Sequence, residues 1–151
     1  METYKESEFS GRGMCSHFCQ DNESISRRGV LRGLHFQRSP HAQAKLVRVV
    51  RGAVWDVAVD LRQSSTTRGR WYGVELSSEN RRMLYVPEGF AHGFLSLQDG
   101  TRFIYKCSRE YRAEAEGGVR WDDPDIAVDW PFRDVVISPR DAALPLLRDL
   151  A

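Results

Sequence analysis

The sequence predicts an all-β fold, a sandwich or barrel, with one short helix near the C-terminus. Three observations carry this. From Gly29 onward, short runs rich in β-branched and aromatic residues recur at roughly ten-residue spacing. Turn signals separate them, at Arg51-Gly52, Pro87-Glu88-Gly89 and Asp99-Gly100. Helical patterning is confined to the tail after Ser138.

Taken in order, residues 1–20 are polar and contain glycine, and are expected to pair loosely or wrap a neighbour. Residues 46–50 and 53–61 are valine-rich and break at Arg51-Gly52. In the second of these, Ala53, Trp55, Val57, Val59 and Leu61 alternate with Val54, Asp56, Ala58 and Asp60. A period of two gives one apolar face and one more polar face. Residues 70–76, 83–86, 93–97 and 101–108 read the same way. Asp99-Gly100 predicts a hairpin, because this dipeptide suits the left-handed conformations of a tight turn. In the tail, Ser138 would cap a helix, Pro139 would occupy its first position and Asp141 its third. Pro145 keeps that helix short. A small barrel can hold a ligand in its mouth, so a polar inward face reads as a binding surface.

The chain has 151 residues, 41% hydrophobic and 28% charged, which predicts a single domain over residues 1–151. The 22 basic and 21 acidic residues leave a formal net charge of +1. That balance speaks against nucleic acid or a polybasic membrane anchor as partner. No apolar run is long enough for a membrane-spanning helix, and the polar first residues resemble no secretory signal. Three cysteines, Cys15, Cys19 and Cys107, form no disulfide framework, so a cytoplasmic setting is expected. Only Lys5, Lys45 and Lys106 among the basic residues are lysines.

Several side chains could carry chemistry. His35 ends a strand-like run, and Lys45 follows in the apolar context Ala44-Lys45-Leu46-Val47. A lysine there either snorkels to water or points into a cavity. Tyr105 alternates with Phe103 and Cys107, which places all three on one sheet face. Together these residue types form an acid–base kit that needs no metal. Histidine can act as a base near neutrality. Lysine can hold an oxyanion, tyrosine can deliver a proton, and Asp141 could orient the histidine. Each also has a plain structural reading: a satisfied core histidine, a snorkelling lysine, a core aromatic, a helix cap. A second chemistry uses His35, His41, His92 and a carboxylate such as Glu88 as metal ligands, as in metal-dependent cupin enzymes. The His-x-His spacing usual in such sites is absent.

Several motifs together resemble the dTDP-4-dehydrorhamnose 3,5-epimerase family of nucleotide-sugar epimerases. They are Arg32-Gly33-Leu34-His35-Phe36-Gln37, Ala42-Gln43-Ala44-Lys45-Leu46-Val47, Asp56-Val57-Ala58-Val59-Asp60-Leu61-Arg62 and Glu75-Leu76-Ser77-Ser78-Glu79-Asn80. Pro87-Glu88-Gly89-Phe90-Ala91-His92-Gly93-Phe94, Tyr105-Lys106-Cys107 and Trp121-Asp122-Asp123-Pro124-Asp125-Ile126 extend the match. The resemblance implies a cupin-like double-stranded β-helix (jelly roll), a homodimer, no metal and no cofactor. It implies a dTDP-linked 4-keto-6-deoxy sugar as substrate. It also implies that His35 is the base, Tyr105 the acid, Lys45 the enolate-stabilising group and Asp141 the carboxylate paired with the base. Arg32 matches a diphosphate ligand, and Gln20, Asn22, His92, Tyr111 and Glu116 match other substrate-binding positions. Family members usually carry a longer front segment with an Asp-x-Arg-Gly-x-Phe-x-Glu pattern, which only Gly11-Arg12-Gly13 echoes here. The alternative functions are a non-catalytic nucleotide-sugar binding module and a metal-dependent cupin enzyme.

Overall fold

The computed structural model describes residues 1–150. Nine strands form two antiparallel sheets. The strands are β1 (Gln20–Ser26), β2 (Leu31–Gln37), β3 (Lys45–Arg51), β4 (Ala53–Asp60), β5 (Trp71–Ser77), β6 (Met83–Val86), β7 (Phe90–Ser96), β8 (Thr101–Cys107) and β9 (Glu116–Gly118). One sheet has the order β1-β8-β3-β6, the other β5-β4-β7-β2-β9. Apart from the β4–β5 hairpin, every consecutive pair of strands switches sheet. This is the jelly-roll architecture, and the expected all-β fold is present with its short helix, α2 (Pro139–Ala142).

The alternation along β4 builds the sandwich. Val57 and Val59 lie on its outer face, where Leu31, Leu34, Ala91 and Leu95 join them. The chain after β9 crosses this face and buries Val119, Ile126, Val128 and Trp130 against it. Asp123 holds that crossing segment in shape. Its carboxylate accepts backbone N–H groups from Asp125, Ile126 and Leu147 at 2.7–2.9 Å. On the inner face, Val54 packs with Val47, Val49, Leu76, Phe94 and Phe103 between the sheets.

Two expectations change. Asp99-Gly100 does turn the chain, with Gly100 at φ 68°, but no hairpin results. β7 pairs with β2 and β4, whereas β8 pairs with β1 and β3. The turn carries the chain from one sheet to the other, anchored by Thr101 Oγ1 on the Gln98 carbonyl and by Asp99 Oδ1 accepting from the Arg28 amide. Residues 1–19 contain no strand among the described residues and carry a short helix, α1 (Glu6–Gly11). This segment lies on its own four-stranded sheet. Tyr4, Phe9 and Phe18 cluster with centroids 5.1–6.4 Å apart, Lys106 sits over the Tyr4 ring, and Tyr85 accepts from the Cys15 amide.

Candidate active site

A β-bulge aims the first functional residue. In the β2–β7 register Arg32 faces Phe94 and His35 faces His92, so β2 spends three residues where β7 spends two. Simple alternation would put positions 32 and 35 on opposite faces. The extra residue returns both to the inner face. Gly33 makes the bulge, at φ 131°, where a Cβ would stand 2.7 Å from the Gly93 Cα.

Along the inner faces the interior is layered. The apolar cluster of Val47, Val54, Phe94 and Phe103 comes first. Asp56 and His92 follow, with His92 Nε2 2.8 Å from Asp56 Oδ1 and the imidazole stacked on Phe103. Both are buried. Beyond them His35, Lys45, Tyr105 and Cys107 line an open cleft of about 360 Å³.

His35 Nε2 lies 2.6 Å from Asp141 Oδ1. The other carboxylate oxygen accepts the Gly33 amide at 3.1 Å. Burial would push the Asp141 carboxyl up, but the hydrogen bonds from His35 and Gly33 outweigh it and hold the group below its ordinary range. A carboxylate only accepts, so the ring proton of neutral His35 belongs on Nε2 and Nδ1 is its basic nitrogen. Asp141 also completes the helix cap, since its backbone N–H donates to Ser138 Oγ at 3.1 Å. The cap uses the amide and leaves the carboxylate for His35, so the capping and orienting readings of Asp141 hold together.

Lys45 opens β3 and places its ammonium 5.8 Å from the centre of the Tyr105 ring. Burial lowers the affinity of its amine for the proton, and Cys107, Asp56 and Glu116 oppose that effect. Tyr105 is shifted the other way, upward, chiefly by burial, with Asn22 and Arg32 working against the shift. Its phenol is therefore protonated at neutral pH. Burial pushes the Cys107 thiol up to about 11, which makes it a wall of the cleft rather than a nucleophile.

The other sequence-predicted positions divide. Gln20, Asn22, Tyr111 and Glu116 line the same cleft. Gln20 accepts from the Tyr111 amide, and the Tyr111 hydroxyl donates to Glu116 at 2.6 Å. Arg140 pairs with the same Glu116 carboxylate. Arg32 is not among the residues that line the cleft; it is exposed, and its guanidinium donates to Ser26 Oγ. His92 lies behind the lining, against Asp56. Among the described residues no three His, Cys, Asp or Glu side chains converge as a ligand set, so the metal-cupin grouping of His35, His41, His92 and Glu88 does not assemble.

This fold has known counterparts. A sequence model of the dTDP-4-dehydrorhamnose 3,5-epimerase family matches residues 1–149. The chain belongs to this epimerase family. The dTDP-4-dehydrorhamnose 3,5-epimerase of Methanothermobacter thermautotrophicus is 55% identical over 152 residues, covering 99% of this chain and 82% of that protein. The crystal structure of the Elizabethkingia anophelis dTDP-4-dehydrorhamnose 3,5-epimerase matches with a TM-score of 0.96 at 50% identity, over 98% of this chain and 82% of that one. The Legionella pneumophila dTDP-6-deoxy-D-glucose-3,5-epimerase, solved in complex with dTDP-4-keto-L-rhamnose, matches with a TM-score of 0.95 at 46% identity, over 99% and 80%.

Within this epimerase fold, the cleft also takes Gln37 and Gln43, which residue-by-residue reasoning passed over. Gln37 ties the wall together, donating to the His41 carbonyl and accepting from the Arg112 amide, both at 2.7 Å. Asp56 was also passed over as a buried polar residue. Its signal was present, as a carboxylate on the face of β4 that the fold turns inward.

Proposed function

We propose that this epimerase inverts C3, C5 or both in a dTDP-linked 4-keto-6-deoxyhexose, through an enolate. The 4-keto group acidifies the neighbouring C–H bonds. His35 takes the proton from the ring carbon, and the bonding electrons pass to the C4 oxygen. The Lys45 ammonium stabilises that oxyanion. Tyr105 donates its phenolic proton to the opposite face as the C4 carbonyl reforms, and solvent restores both groups. Inversion needs an acid and a base on different faces of the ring, which one residue cannot supply.

The observation that carries this reading is the 2.6 Å contact of His35 with Asp141 in a cleft that also holds Lys45 and Tyr105. Asp141 fixes the tautomer and orientation of the base and stabilises its imidazolium. Gln20, Asn22, Tyr111 and Glu116 supply hydrogen-bonding groups for the sugar and nucleotide. The exposed Arg32 guanidinium suits a diphosphate. The dTDP-sugar bound by the Legionella relative supports this substrate class. A homodimer in the cytoplasm is the setting of this reading. No helix among the described residues is long and apolar enough to cross a membrane.

The test is incubation with dTDP-4-keto-6-deoxyglucose in deuterated water, followed by NMR at C3 and C5. Deuterium at one or both carbons with inverted configuration is the expected result. Thermal stabilisation by dTDP without any exchange would replace the enzyme reading with a nucleotide-sugar binding module.

A further inference from the structure

The segment that carries Tyr111 into the cleft has no regular structure to hold it. Residues 108–112 belong to no helix or strand. Three glutamine side chains from different parts of the chain bond its backbone instead. Gln43, between β2 and β3, donates to the Arg109 carbonyl at 2.7 Å. Gln37, on β2, donates to the Glu110 carbonyl at 3.3 Å and accepts from the Arg112 amide at 2.7 Å. Gln20, on β1, accepts from the Tyr111 amide at 2.8 Å. Each residue from Arg109 to Arg112 is thus bonded by a glutamine, and all three glutamines line the cleft.

We propose that Gln37 and Gln43 are positioning residues for Tyr111: with Gln20 they hold residues 109–112 in the shape that presents Tyr111 to the substrate, and so they set affinity rather than turnover. The proposal rests on reading Tyr111 as a substrate-binding residue. The chemistry of Gln37 separates positioning from binding. A primary amide has two N–H donors. One goes to the His41 carbonyl at 2.7 Å and the other to Glu110, so neither is left for a ligand. Gln37 is also buried, where an amide is costly unless it is bonded. An apolar residue at this position would leave the Arg112 amide and two carbonyls without their partner. Tyr111 itself is half-exposed, with its hydroxyl fixed on Glu116 at 2.6 Å. Held at its backbone and at the tip of its ring, it meets the ligand already ordered, and binding then costs little further ordering of the segment.

The test combines amide hydrogen exchange, followed by NMR, with calorimetric titration of dTDP. In Gln37→Leu the amides of both Tyr111 and Arg112 should lose protection, although the Gln20 acceptor of the Tyr111 amide is untouched. Affinity for dTDP should fall roughly tenfold, because only a fraction of the molecules then hold the segment ready. KM for the dTDP-sugar should rise with it, while kcat stays within a few fold. Adding Gln37→Leu to Tyr111→Ala should weaken dTDP binding little further, since both changes remove the same contact. Parental protection of the Tyr111 amide, or parental dTDP affinity, in folded Gln37→Leu overturns the proposal. If Gln37→Leu does not fold, Gln43→Leu at its less buried position gives the same reading in smaller measure, and no change in exchange or affinity there overturns the proposal equally. Parental dTDP binding by Tyr111→Ala would overturn the reading of Tyr111 on which the proposal rests, an outcome that the exchange data distinguish from a failure of the glutamines to hold the segment.

Discussion

His35 Nε2 lies 2.6 Å from Asp141 Oδ1, and the same aspartate donates its backbone N–H to the Ser138 side chain. One residue thus closes the N-terminal cap of a helix and orients a base 106 positions earlier in the chain. The two duties separate by mutation. Asp141→Asn keeps the amide cap and the side-chain shape but loses the charge. It should lower kcat roughly 10²–10⁴-fold with little change in KM. Ser138→Ala should cost about 1 kcal/mol of stability and leave kcat within a few fold. Steady-state kinetics and thermal melts of the two variants check both statements.

Gly33 allows His35 to face the cleft, so a Cβ there should be felt in both fold and function. Gly33→Ala would place a methyl group 2.7 Å from the Gly93 Cα, at a φ that side chains avoid. The expected loss is roughly 2–4 kcal/mol, with a fall in kcat as the bulge relaxes. Denaturant unfolding gives the first quantity. A variant with parental stability would show that the bulge accommodates a side chain.

How much of this was legible in the sequence follows from the same bulge. Strands β3 to β8 could be read from their alternation, and β6 agrees with its expected bounds, whereas β1 and the three-residue β9 could not. The convergence of His35 with Lys45 and Tyr105 could not, because the odd spacing of Arg32 and His35 argues for opposite faces until one residue is set aside. The Asp99-Gly100 turn was visible but its consequence was not. A tight turn is a local property, whereas the sheet each flanking strand joins depends on partners about 30 or more residues away. Asp141 was legible as a cap from its spacing to Ser138 and as a candidate to orient a histidine from its residue type, while the family resemblance assigned it to His35. Asp56 lay in plain view on an alternating strand, and only the facing sheet shows that its polar side is the inside.

A second carboxylate sets the acid tolerance of the fold. Asp60 is buried at the end of β4, where Arg62, Ser65 and Thr67 bond it. The Arg62 guanidinium leads these in holding its carboxyl far below the ordinary aspartate range, against burial. A depressed folded value means stability that is present above the unfolded value of about 4 and lost as pH falls toward the folded one. Asp60→Asn should therefore be destabilised by roughly 1–3 kcal/mol at pH 7, with the gap to the parent closing below about pH 3. Urea unfolding at both pH values checks the sign.

Lys45 sets the opposite limb. Its ammonium is the form that holds the oxyanion, and burial moves its titration below the ordinary lysine value. Tyr105 is shifted upward, so it is not the first group to fail as pH rises. Activity should decline on the alkaline side with a midpoint below about 10.4, the value of an unburied lysine. Lys45→Ala should lose roughly 10²–10³-fold in kcat. A pH–rate profile of the parent and a single-pH rate for the variant decide it.

The central claim is the division of labour between His35 and Tyr105, and deuterium wash-in by the two single variants tests it most directly. His35→Asn, given dTDP-4-keto-6-deoxyglucose in deuterated water, should incorporate no label at C3 or C5, because no proton is removed. Tyr105→Phe should still label one carbon while inversion slows, because the proton leaves but is not returned to the other face. Parental exchange in folded His35→Asn, or inversion at the parental rate in Tyr105→Phe, would contradict the account.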